Sequence, residues 1–118
     1  MYVDGFVLVV PNKNLKEYLG MAKKACKIWI EHGALEYREA VGDDLNAPMG
    51  VTFPKLTKLK NNETVIFAWI VYKSKAQRDS VNKKVMKDPR MHGMCDPKNP
   101  PFDMKRMSYG GFKVMVAS

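Results

Sequence analysis

With 118 residues, 46% hydrophobic and 27% charged, the chain can bury one core and not two, so a single domain over 1–118 is expected. Twenty Lys and Arg against 12 Asp and Glu give a formal charge of +8, but these basic residues are spread along every element without an arginine-rich tract, so charge alone does not call for a nucleic acid. Two distant cysteines, Cys26 and Cys95, exclude a disulfide framework, and neither a signal peptide nor an apolar run near the ~20 residues of a membrane span is present, so the expected setting is the cytoplasm, away from membranes.

Residues 2–10 read as an interior strand, apolar on both faces from Phe6 to Val10 and ended by Pro11. Asp4, beside Gly5, interrupts it as a bulge device, a group aimed into a cavity, or a solvated strand end. Asn12 or Asn14 can cap a helix running to about His32, with Leu15, Tyr18, Leu19, Ala22, Ala25, Cys26 and Trp29 as its apolar stripe and Gly33 as its stop. His32 would favour the negative end of that helix, and Cys26 reads as a small buried hydrophobe.

Residues 34–42 alternate Leu35, Tyr37 and Val41 against Glu36 and Arg38, with Glu39 breaking the phase; the charge suits an edge strand. The connection over 43–62 is long for a compact domain and suits a lid or partner contact, with Pro54 opening a short helical turn over Leu56 and Leu59. From Thr64 to Tyr72 every residue is uncharged and almost all are β-branched or aromatic, the pattern of a central strand covered on both faces. Ser74 and Gln77 form a capping box for a helix of about 14 residues, with Val81, Val85 and Met86 inward and Asp88-Pro89 as its end. An irregular loop repeats Asp-Pro-basic at 88 and 96, each able to cap a turn. Residues 105–116 read as a last strand, with Gly110-Gly111 marking a bulge or a close backbone approach.

Strand, helix, strand, strand, helix, strand predicts a ferredoxin-like α+β fold: a four-stranded antiparallel sheet, strands one and three inside, two helices on one face. The inner strands carry apolar residues of both parities, Val65, Phe67, Trp69 and Val71 against Ile66, Ala68, Ile70 and Tyr72. One set must face away from the helices, and a second copy packed sheet to sheet would cover it, giving a homodimer; the loop over 43–62 is the other available cover.

Asp4, Glu36, Arg38, Arg106 and Tyr109 are polar groups on strands that a rigid sheet can hold around a cleft beside Trp69 and Tyr72, the build of a site for a small apolar or aromatic molecule; cross-strand ion pairs are the competing reading. A desolvated Asp4 would be the general base of such a site. Met91, His92, Met94 and Cys95 are soft-metal ligand types, but two histidines and two cysteines in all make loop packing the better account, and no metal or cofactor is called for. No Gly-rich phosphate loop or nucleophile elbow is present. An RNA-recognition sheet shares this order of elements, and Phe67, Ala68, Trp69, Ile70 and Tyr72 fit its third strand, but Val65-Ile66 replace its basic-Gly opening. RNA binding and a non-catalytic scaffold or regulator role therefore stand as alternatives.

Several runs, Tyr2-Val3-Asp4-Gly5-Phe6, residues 33–39, Val71-Tyr72-Lys73-Ser74, Lys84-Val85-Met86, Asp88-Pro89-Arg90-Met91, Pro101-Phe102-Asp103, Lys105-Arg106-Met107 and Tyr109-Gly110-Gly111-Phe112, resemble the YbaA-like family of small uncharacterised bacterial proteins. That family is similar to the dimeric α+β barrel superfamily, which implies the same fold and a dimer. The superfamily includes cofactor-independent oxygenases, isomerases, haem-degrading enzymes and ligand-binding modules. Haem-degrading members resemble one another in an Asn, Trp and His constellation; here Trp69 stands on the third strand, Asp4 takes the place of the Asn, and no histidine lies in the second helix.

Overall fold

The computed structural model describes residues 1–94 and 97–118; Cys95 and the second Asp-Pro cap expected at 96 lie outside the described residues. Two long strands, β1 (Tyr2–Pro11) and β3 (Glu63–Tyr72), run antiparallel through the middle of the sheet, from Tyr2 opposite Tyr72 to Pro11 opposite Glu63. The edge strand β2 (Glu36–Val41) pairs with β3, and β4 (Ser108–Lys113) pairs with β1, giving the order β2-β3-β1-β4. This is the ferredoxin-like arrangement, with strands one and three inside.

Helices α1 (Leu15–Glu31) and α3 (Lys75–Lys87) cover the same face. Because side chains alternate along a strand, this face takes the even-numbered residues of β1 and β3. Leu8, Val10 and Ile66 pack on Tyr18 and Ala22, while Ile70 and Tyr72 pack on Ile28, Val81 and Val85. The odd set of β3, Val65, Phe67, Trp69 and Val71, faces away from the helices. A short helix α2 (Phe53–Thr57) packs against β3 and brings Phe53 to 6.3 Å from Phe67, and Val9 and Val65 at that end are buried. The connection over 43–62 thus covers one end of the outer face and leaves the rest open.

Local chemistry sets the ends of the elements. Gly33, at φ +116°, stops α1, as its freedom at positive φ allows. Ser74 Oγ accepts from the Gln77 amide at 3.1 Å, while the Gln77 side chain accepts from Lys73 N at 2.5 Å and donates to Gly33 O at 2.9 Å, tying the start of α3 to the end of α1. Asn14 stands at the α1 N-cap position, but its side chain donates to Pro101 O at 3.1 Å instead of capping. The last strand starts later than 105 because Asp103 caps a 3₁₀ turn over Met104–Arg106, and it ends at Lys113, short of 116. Its register on β1 runs unbroken through both glycines, so they mark close approach and not a bulge. A side chain at Gly111 would collide with the Tyr2 hydroxyl and the Arg78 guanidinium.

Asp88 ends α3 and gathers two partners. His32 Nε2 lies 2.8 Å from Asp88 Oδ2, and Arg90 donates to both carboxylate oxygens while its other arm reaches Glu31 at 2.7 Å. Arg90 first, then His32, holds the Asp88 carboxyl well below the usual carboxylate range. A depressed folded pKa contributes stability above the unfolded value, about 3.9, and loses it as pH falls through the folded one. Asp88→Asn is therefore expected to lower the melting temperature by several degrees at pH 7, with a deficit that narrows once the buffer is taken below about pH 4. Thermal melts across that range check it.

Candidate functional site

The register divides the residues that the sequence singles out. Asp4 pairs with Ile70 and so points toward the helices, with Tyr72 and Tyr109 on the same side; Trp69 pairs with Gly5 and points outward, with Glu36 and Arg38 on its face. Asp4 and Trp69 do not share a cleft. Arg106 joins neither group: it makes two bonds to Glu63, at 2.6 and 3.0 Å, and donates to the carbonyls of Thr57 and Lys58, clamping the approach to β4 onto the start of β3.

On the helix side lies a cavity of about 590 Å³. It exists because Ala22 and Ala25 of α1 and Ala68 of β3 line the same space with little side chain to fill it. Phe6 and Ile70 add to the sheet wall, Trp29 and Asn82 to the helix wall, and Met91, Met94, Phe102 and Met107 close it from the segment after α3. Six of the nine methionines line it, a soft and adaptable surface.

Asp4 stands at one pole, 1% exposed. Its Oδ1 lies 3.6 Å from Arg78 Nε, yet neither atom has a hydrogen-bond partner among the described residues. Arg78 instead donates to the Tyr2 hydroxyl at 3.0 Å and sits 4.9 Å over that ring. Burial pushes the Asp4 carboxyl up, and Arg78, Asn82 and Tyr72 oppose the rise without cancelling it. Asn82 is fixed from two sides, its Oδ1 accepting from Trp29 Nε1 at 3.0 Å and from the Tyr72 hydroxyl at 3.3 Å. The Tyr72 hydroxyl is pushed up by burial first and by Asp4 next. Tyr109 stacks on Phe6 at 4.8 Å, and burial, then Asp4, raises its pKa too.

Glu39 forms the second pole. The Tyr37 hydroxyl donates to Oε2 at 2.7 Å and the Tyr18 hydroxyl donates to Oε1. Burial and then the adjacent carboxylate raise both phenols well above their usual range, so they remain donors. The broken apolar phase at Glu39 was the visible signal for this pole. Tyr18 and Trp29 had been readable only as stripe residues, and nothing in the sequence singled out Asn82. No cluster of three metal-ligating side chains occurs among the described residues; Met91 and Met94 line the cavity and His92 is exposed.

The outer face is different in kind. Phe67, 45% exposed, lies 5.5 Å from Trp69, and Phe112, 62% exposed, covers Gly5 and Gly110 beside Val3 and Val7. Trp69 Nε1 donates to Glu36 Oε2 at 2.7 Å, and Arg38 pairs with Glu36 at 3.2 Å. Trp69, then Arg38, lowers the Glu36 pKa. The result is a broad apolar surface with its polar groups paired at the β2 edge.

A four-stranded antiparallel sheet with one helical layer is a fold shared with solved NIPSNAP-domain structures. An Agrobacterium tumefaciens protein, Atu4242, matches at TM-score 0.61 with 16% identity, over 96% of this chain and 92% of that one. An uncharacterized NIPSNAP domain protein from Burkholderia xenovorans matches at 0.60 with 14% identity, over 98% and 96%. At such identities the likeness concerns the fold. Residues 1–104 match the family described as protein of unknown function (DUF1428), and the chain belongs to that family. It is 43% identical over 115 residues to the uncharacterized protein YbaA of Escherichia coli K12, covering 98% of this chain and 97% of that protein; YbaA of Shigella flexneri matches equally. The resemblance drawn from the sequence runs therefore holds. No described helix is long and apolar enough to cross a membrane.

Proposed function

We propose that this chain is a homodimeric cytoplasmic protein that holds a small, largely apolar or aromatic molecule in the cavity between its helices and its sheet. The observation that carries the reading is Asp4: a buried carboxylate whose Oδ1 faces Arg78 at 3.6 Å but has no hydrogen-bond partner among the described residues, lining an otherwise methionine-rich and aromatic space. Leaving such a group unsatisfied costs stability, and sites that bind small molecules combine an apolar wall with a few placed polar groups in this way. The size of the cavity also suits a one- or two-ring ligand. The outer sheet face supports the dimer, since Phe67, Trp69, Phe112, Val3 and Val7 make a patch that a second copy would remove from water. The free, half-buried thiol of Cys26 suits a reducing compartment.

A catalytic reading of the same site rests on the raised pKa of Asp4. A carboxylate so placed is a stronger base than one in water and would take a proton from an acidic carbon of the bound molecule, the opening step of an isomerisation or a cofactor-independent oxygenation. Indole, a neutral aromatic with one N–H donor, separates a working cavity from an idle one. It is expected to raise the melting temperature of the native protein by several degrees at saturating concentration and to leave Ala22→Phe, whose added ring fills the space, within about one degree of its own baseline. Equal shifts in both proteins, or none in either, would count against the cavity.

A further inference from the structure

The cavity has a sign opposite to that of the protein around it. None of the twenty Lys and Arg lines it, while Asp4 and Glu39 both do. Asp4 lines the space and is almost fully buried, and its Oδ1 has no hydrogen-bond partner among the described residues. Arg78 stands behind Asp4 and balances part of its charge. Among the described residues Glu39 has no basic partner; its two oxygens are oriented by Tyr37 and Tyr18, each using one of the lone pairs available there and leaving acceptor capacity over.

The register gives the spacing. Glu39 pairs with Ala68, Ala68 with Phe6, and Asp4 lies one same-face step along β1, which puts the Cα atoms of Glu39 and Asp4 roughly 12 Å apart. Trp29, Tyr37, Phe6 and six methionines line the same space. Aromatic rings and a carboxylate around one space are the two features that recognise an organic cation.

We propose that the cavity selects an arylalkyl amine in its ammonium form over neutral and anionic molecules of the same shape, with the ammonium at Glu39 and the ring among Trp29, Tyr37 and Phe6. This rests on the cavity being a ligand site, as argued above, and adds the chemical class. An anion would meet two carboxylates and no positive lining group. The +8 charge of the whole chain opposes the approach of a cation, so association should quicken as salt screens that field while the contact inside the cavity persists.

Three matched probes test this by calorimetric titration: 2-phenylethylammonium, 2-phenylethanol and phenylacetate. The ammonium is expected to bind at least about tenfold more tightly than the alcohol, and phenylacetate weakest of all. Glu39→Gln should bring the ammonium down to the alcohol's affinity and leave the alcohol within about twofold; Tyr18→Phe, which keeps the carboxylate, should retain the preference. Alcohol and ammonium binding equally, or phenylacetate binding best, would overturn the charge selection while leaving the cavity a site. Absence of binding by all three would overturn both.

Discussion

Arg78→Leu is expected to cost about 3 kcal/mol at neutral pH, because it strips the nearest positive charge from a carboxylate that stays buried. Asp4 is 1% exposed and has no other ion-pair partner among the described residues. Asp4→Asn is expected to be close to neutral, since Arg78 keeps Tyr2 and Asp79, the latter at 3.5 Å. The double variant should recover most of what Arg78→Leu loses, a coupling that a double-mutant cycle reads directly.

The pH dependence has a definite sign. Asp4 has a raised folded pKa, so the native state holds its proton more tightly than the unfolded chain does. Its contribution to stability is therefore best at low pH and declines as pH rises through the folded value. Removing Arg78 takes away the main opposition to that rise, so the deficit of Arg78→Leu should shrink as Asp4 takes up its proton. Urea unfolding at several pH values from 4 to 8 measures this. A deficit that grows toward acid would contradict the placement of Asp4.

If the proposed sheet-to-sheet dimer forms, Phe67→Lys is expected to raise its dissociation constant by at least about 100-fold, the effect of a central anchor residue, while far-ultraviolet circular dichroism keeps its native form. The ring stands between Trp69 and Phe53 on the open face, and a lysine there would put an ammonium group from each copy into the apolar contact of the proposed dimer. Sedimentation equilibrium over a range of concentrations reads the change. A native protein that stays monomeric throughout would remove the dimer from the account and leave an exposed aromatic sheet; salt-sensitive RNA binding, abolished by the same substitution, would then be the result to seek.

The order and pairing of the strands were legible because β1 and β3 carry apolar residues at both parities, the pattern of interior strands. The capping box at Ser74 and Gln77, the stop at Gly33 and the helix end at Asp88-Pro89 were legible for a similar reason, since each depends on neighbours in sequence. Which face a strand residue takes depends on register across the sheet. One step of slip between β1 and β3 would have put Asp4 and Trp69 together; the observed pairing of Trp69 with Gly5 separates them. Arg106 could be read as a site residue because nothing local shows that Glu63, 43 positions away, would hold it. The cavity itself is a missing volume, made by three alanines from two elements; Asp4 could be read as a group aimed into a cavity, whereas the break that Glu39 makes in β2 read only as edge-strand charge.

The central claim is that the space between helices and sheet receives a small aromatic molecule, and the methionines report on it. Met21, Met86, Met91, Met94, Met104 and Met107 line the cavity, whereas Met1, Met49 and Met115 lie away from it. Titration of indole into protein carrying ¹³C-methyl methionine is expected to move the first six methyl resonances along one saturating curve and leave the other three in place. Movement confined to Met1, Met49 and Met115, or no saturable movement at all, would contradict it.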